Sequence, residues 1–93
     1  MSHLYMKVEW IHDFEGDPIW IYAELDSGRM ETRKVEIYKN GRCDRAGEGG
    51  SSGETMLGIW PYPSLEEIAA DPQFRPALIS KAEFEAAWHR CMP

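Results

Sequence analysis

His12 and Asp13 stand next to each other where the first alternating stretch of the chain ends, and a histidine beside a carboxylate has the parts of a general base. Glu31 and Arg33, two apart in a later alternating stretch, would add a carboxylate and a guanidinium. Together the four outline a polar pocket at the end of a sheet, able to hold a small molecule or to support an enzymatic step. No serine or cysteine follows a nucleophile pattern near His12, so the competing reading is a turn residue at a strand end. An arginine that continues an apolar face needs a carboxylate partner, which Glu31, Asp26 or Asp13 could supply.

Other candidates for chemistry are weaker. His89 and Cys91 are two apart in a helical stretch, a spacing that does not share a helix face, so no metal site is expected. His89 reads instead as a complement to a helix C-terminus. Residues 47–54 (G-E-G-G-S-S-G-E) lack the lysine and helix start of a phosphate cradle and read as a flexible glycine-rich loop. No catalytic residue and no cofactor is assigned.

Charge narrows the partners. A net charge of −6 argues against nucleic acid and anionic membrane, which are held largely by lysine and arginine, and makes a basic protein the electrostatic complement. A chain of 93 residues with four tryptophans can build one domain, residues 1–93, burying roughly 60–65% of its unfolded surface. Cys43 and Cys91 set no disulfide framework. Neither a signal segment nor a membrane-length apolar run is evident, so a cytoplasmic protein with reduced thiols is expected. Residues 1–4 read as a loose leader.

The elements that must position these residues follow from periodicity. Residues 5–11 alternate, with Met6, Val8 and Trp10 on one side and Tyr5, Lys7 and Glu9 on the other. Residues 19–26 form a second strand, with Ile19, Ile21, Ala23 and Leu25 inward and Trp20, Tyr22 and Glu24 outward. The third, from about 29 to 39, turns Val35 and Ile37 inward and Lys34, Glu36 and Tyr38 outward. Asn40-Gly41 then suits a tight hairpin in which both residues reach positive φ. Residues 42–46 return, and residues 55–60 supply a fifth strand.

Two helices end the chain. Ser64-Leu65-Glu66-Glu67 and Ser80-Lys81-Ala82-Glu83 both spell a capping box, and Ile79 with Phe84 makes a hydrophobic staple. Phe84, Ala87, Trp88 and Cys91 form one helical stripe. The expected fold is α+β: an antiparallel meander of about five strands with both C-terminal helices packed on one face. The opposite face would stay open. Trp20, Tyr22, Glu24, Glu36 and Tyr38 would then form an aromatic, acidic surface suited to a protein partner or to homodimerisation. Trp60-Pro61-Tyr62-Pro63 reads either as an exposed recognition segment or as a tack holding the crossover to the core.

Blocks along the chain also look familiar: K-V-E-W-I-H-D at residues 7–13, E-T-R-K-V-E-I-Y-K-N-G-R at 31–42, T-M-L-G at 55–58, P-S-L-E-E-I at 63–68 and I-S-K-A-E-F-E-A-A-W at 79–88. In this order, from Tyr5 to Trp88, they resemble a family of small uncharacterised bacterial domains of unknown function. Its members look like immunity-type proteins of toxin systems. The resemblance implies a fold and a source and carries over no catalytic residues; the glycine-rich loop and Trp20 depart from the pattern. The expected function is a non-enzymatic binding protein that neutralises a cognate basic toxin through the open sheet face. The alternative is a small-molecule or enzymatic domain at the polar quartet.

Overall fold

A computed structural model describes residues 3–47, 49–51 and 55–91. Its elements are strands β1 (Leu4–Trp10), β2 (Trp20–Leu25), β3 (Glu31–Ile37), β4 (Cys43–Gly47) and β5 (Gly50–Ser51), helix α1 (Leu65–Ala69), strand β6 (Phe74–Leu78) and helix α2 (Lys81–Arg90). The strands form one open antiparallel sheet in the order β5-β4-β3-β2-β1-β6. The fold is α+β, as the pattern of strands before helices indicates.

The first five strands follow one another as neighbours, but β6 crosses back to the free edge of β1, so the sheet is not a simple meander. Residues 55–60 do not make the expected strand; they run irregularly across the sheet. Part of the expected loop at 47–54 is strand, because Gly47 pairs with Gly50 and Ala46 with Ser51. The rest of that loop, residues 48 and 52–54, lies outside the described residues, as do residues 1–2 of the expected leader, whose Leu4 belongs to β1. The β3–β4 turn is also built differently from a two-residue hairpin. Gly41 alone takes positive φ (88°), Gly41 N–H donates to the Tyr38 carbonyl, and Asn40 Oδ1 accepts from Arg42 N–H.

β6 escaped the periodicity because Pro76 sits at its centre, and proline is a poor central-strand residue. Here it is tolerated at an edge. Ile79 N–H donates to the Tyr5 carbonyl and the Gln73 carbonyl accepts from Ile11 N–H, so odd-numbered positions face β1. Pro76 therefore turns its missing N–H outward, which also blunts that edge against further strand pairing.

The two helices lie on opposite faces of the sheet. Leu65 and Ile68 of α1, with Tyr62 and Phe74, pack on Met6, Val8, Ala23 and Leu25. On the other side Phe84 and Trp88 of α2 pack with Tyr5, Tyr22, Val35 and Ile37. Tyr5 adjoins Met6 in β1 and Tyr22 adjoins Ala23 in β2, and successive strand residues point to opposite faces. This corrects the expectation of both helices on one side. The cause is register: β2 and β3 pair Tyr22 with Val35 and Trp20 with Ile37, which puts Val35 and Ile37 on the tyrosine face. A slip of one residue exchanges every side chain between faces.

Both serine caps form, but only the first of the two expected capping boxes is complete. Ser64 and Glu67 complete a reciprocal capping box on α1. Ser80 Oγ accepts from Glu83 N–H, while the Glu83 carboxylate turns away to meet Lys7 at 2.8 Å. Cys43 in β4 and Cys91 at the end of α2 form a disulfide with Cα atoms 5.7 Å apart, across 48 residues of sequence, which overturns the expectation of two unlinked thiols. Two isolated cysteines carry no pairing signal in sequence; the α2 stripe brings Cys91 over β4. Among the described residues, no helix is long and apolar enough to cross a membrane.

Because the bond closes a 48-residue separation, reducing it or replacing Cys91 with serine is expected to lower the unfolding free energy by about 2–4 kcal/mol. The measurement is the urea midpoint with and without dithiothreitol, and an unchanged midpoint contradicts the assignment.

Candidate functional site

Arg33 organises the α2 face. Its Nε and Nη2 donate to Glu24 Oε1 and Oε2 at 2.9 and 2.7 Å, and its Nη1 and Nη2 donate to Glu85 Oε1 and Oε2 at 3.0 and 2.7 Å. Two bidentate pairs thus share one guanidinium, a geometry that lysine cannot reproduce. The guanidinium also lies 4.9 Å from the Phe84 ring centre and 5.0 Å from that of Trp88. Thr32 Oγ1 donates to Glu24 Oε1 at 2.7 Å. Bonds from Arg33 and Thr32 outweigh burial and bring the Glu24 carboxyl down to about 2. Arg33 beside it likewise holds the Glu85 carboxyl below the usual range.

The proposed polar quartet does not assemble. A bulge in β3 shifts the pairing from Glu24–Arg33 to Leu25–Glu31, so Glu31 and Arg33 face opposite sides of the sheet although they are two apart. Arg33 therefore pairs with Glu24 and Glu85 rather than Glu31, Asp26 or Asp13. Glu31 takes Gly58 N–H on Oε1 at 2.6 Å and Lys34 at 3.5 Å. His12 uses both ring nitrogens in its own turn: Nδ1 accepts from Phe14 N–H at 2.9 Å, which leaves Nε2–H to donate to the Pro18 carbonyl at 2.8 Å. Asp13 is exposed beside it.

The five expected contact residues are divided as well. Trp20, Tyr22 and Glu24 lie on the α2 face; Tyr22 joins the apolar cluster there, Glu24 is buried, and Lys7 stands 5.5 Å from the Trp20 ring. Glu36 and Tyr38 lie on the opposite face. Thr55 Oγ1 donates to Glu36, and Tyr38 is only 8% exposed with the Arg42 guanidinium 4.1 Å from its ring. Among the described residues, these side chains do not form one open aromatic face. Alternation misled because tyrosine, lysine and glutamate, read as solvated, are here packed or are paired with side chains of other elements.

Exposure is concentrated elsewhere. Met56, Ile59 and Trp60 are 69%, 78% and 76% exposed, on a segment whose backbone is tied down at both ends. Lys34 Nζ donates to the Met56 carbonyl at 2.8 Å, Gly58 N–H bonds Glu31, Tyr62 N–H donates to the Arg29 carbonyl, and Arg29 returns bonds to the Tyr62 and Pro63 carbonyls at 2.8 and 2.7 Å. Arg29 adopts φ 64°, which non-glycine residues rarely do, and it is this turn that delivers its side chain to the segment. Both sequence readings of residues 60–63 hold in part: Tyr62 tacks the crossover to the core, while Trp60 projects. Burial pushes the Tyr62 phenol well up, with Glu31 and Glu36 adding to the shift. The periodicity carried no signal for this surface beyond the Trp-Pro-Tyr-Pro run. Among the described residues, no group of histidine, cysteine, aspartate and glutamate is placed to hold a metal.

The chain belongs to a family described as a domain of unknown function (DUF6881), whose model matches residues 4–93. No curated protein and no solved structure matches it.

The Glu24 carboxyl falls from an ordinary 4.5 to about 2 on folding, so its contribution is complete above pH 4.5 and is lost as the pH drops through 2. We expect stability to decline by about 3 kcal/mol across that window, and the Glu24→Gln protein to be less stable at pH 7 by a similar amount with a flatter acid slope. Urea unfolding of both proteins between pH 7 and pH 2 measures this; parallel slopes contradict it.

Proposed function

We propose that the protein is a non-enzymatic, acidic binding protein whose contact surface is the apolar segment of residues 56–60. The observation that carries this reading is the pre-organised exposure of Met56, Ile59 and Trp60. Exposed apolar side chains on an anchored backbone lose little freedom on binding, and tryptophan is the residue type most enriched at interface hot spots. The partner is a basic protein. Glu66, Glu67 and Asp71, exposed shortly after the segment, and a net charge of −6 give it the complementary sign.

The finer reading makes this chain a bacterial immunity protein and the partner its cognate toxin. Support comes from small size, acidity and the resemblance of its sequence blocks to immunity-type domains. The surface differs from the sheet face expected at first, because α2 occupies that face. The expected cytoplasmic location is part of the proposal. A Cys43–Cys91 bond persists best in oxidising surroundings, so thiol labelling of the protein in intact cells decides its compartment.

The test asks whether a basic protein is encoded beside this chain and pairs the two; the absence of any such neighbour counts against the proposal. Co-expression is expected to rescue growth, and Trp60→Ala to weaken binding about 30-fold or more without moving the thermal midpoint. Isothermal titration at two salt concentrations and growth curves provide the readouts. A stable homodimer by light scattering that Trp60→Ala dissociates would overturn the proposal, since the segment would already be occupied.

A further inference from the structure

Between α1 and the sheet lies a cavity of about 350 Å³, within the size range of small-molecule sites. Its apolar lining comes from Val8 and Ile21 of the sheet, Ile68 of α1, and Tyr62 and Phe74. Among the described residues, its charged lining residues are Glu67 and Asp71, both acidic. Each uses one oxygen locally: Glu67 Oε1 accepts from Ser64 N–H at 3.2 Å, and Asp71 Oδ1 accepts from Gln73 N–H at 2.9 Å. Among the described residues, the second oxygen of each accepts no hydrogen bond.

We propose that this cavity binds a free small molecule in which an aromatic or branched apolar group is joined to a primary ammonium. The apolar part replaces water over Val8, Ile21 and Phe74, while the ammonium, with three donors, meets Glu67 and Asp71. An anionic ligand of the same shape would face two carboxylates, while the nearby Arg29 guanidinium is committed to the Tyr62 and Pro63 carbonyls. The backbone bonds of Ser64 hold Glu67 below the usual carboxylate range, so its charge persists into mildly acidic solution. This site contains none of residues 56–60, although it shares Glu67 and Asp71 with the acidic surface proposed to attract a protein, and the titrations test it with no protein partner present.

The experiment titrates 2-phenylethylammonium, 2-phenylethanol and 3-phenylpropionate into the full chain, following the methyl resonances of Val8, Ile21 and Ile68. The ammonium is expected to shift all three residues saturably, about tenfold more tightly than the alcohol, with the carboxylate weakest. In the double variant Glu67→Gln, Asp71→Asn the ammonium advantage is expected to disappear while the alcohol binds as before. Both substitutions keep the side-chain carbonyl that accepts the local backbone bond, so the fold is retained and a circular dichroism melt confirms it. Equal binding of the carboxylate, an ammonium advantage that survives the double variant, or no saturable shift with any probe up to ~10 mM would overturn the proposal.

Discussion

One guanidinium fixes the relation between sheet and helix. Arg33 is mostly buried beneath α2, and a buried cation is costly unless its donors are met. Glu24 from β2 and Glu85 from α2 meet them from two directions, so the pair cannot form unless the strands and the helix are already in one arrangement. Moving β3 by one position would send Arg33 to the other face and leave Glu24 buried without its partner. The network therefore specifies register and helix placement more than it adds stability, because the desolvation of three charges offsets much of their attraction. Phe84 and Trp88 complete the setting. Their rings border the guanidinium, and Arg45 stacks on Trp88 at 4.2 Å from above β4.

The bulge at Thr32 lets one strand serve two faces. Upstream of it Glu31 points toward residues 55–63, and downstream Arg33 points toward α2. The face away from α2 thus has an apolar half over β1 and β2, covered by α1, and a polar half over β3 and β4. That polar half cannot be covered by another apolar helix. It is covered by irregular chain whose backbone groups answer Glu31 and Lys34, and Thr55 answers Glu36. A segment held by its backbone has its side chains released. Met56, Ile59 and Trp60 project for that reason.

How much of this was readable in advance depended on whether the signal was local. The capping residues Ser64 and Ser80, the stripe Phe84–Ala87–Trp88–Cys91 and strands β1 to β3 rest on neighbours in sequence, and all appear as expected. Strand β6 was hidden by Pro76, and the phase between β2 and β3 by the bulge at Thr32, which no periodicity registers. Lys7, Tyr22 and Glu24 looked like a solvated face because their partners Glu83, Phe84 and Arg33 lie far away in the chain or on another element. The charge sign and the Trp60 segment were visible; the division of that segment was not, since Tyr62 packs on the core while Trp60 is exposed.

The two sides of the sheet are also held with different strength. On one side α2 is fixed by a covalent bond through Cys91, by Arg33 through Glu85 and by Lys7 through Glu83. On the other, α1 has five residues, too few to be stable by itself, and it has no buried residue of its own. It keeps its place through the Ser64 box, partial burial of Leu65 and Ile68, and the hold of Arg29 on residues 62 and 63. Binding surfaces are drawn from the less stable parts of a fold, because a site must adjust to its ligand. The cavity beside Ile68 lies in this weakly held half, and Trp60 adjoins it on a backbone anchored through Lys34, Glu31 and Arg29. The two faces therefore divide in character: α2 and its charges make the scaffold, and the region around α1 carries both surfaces proposed to meet other molecules.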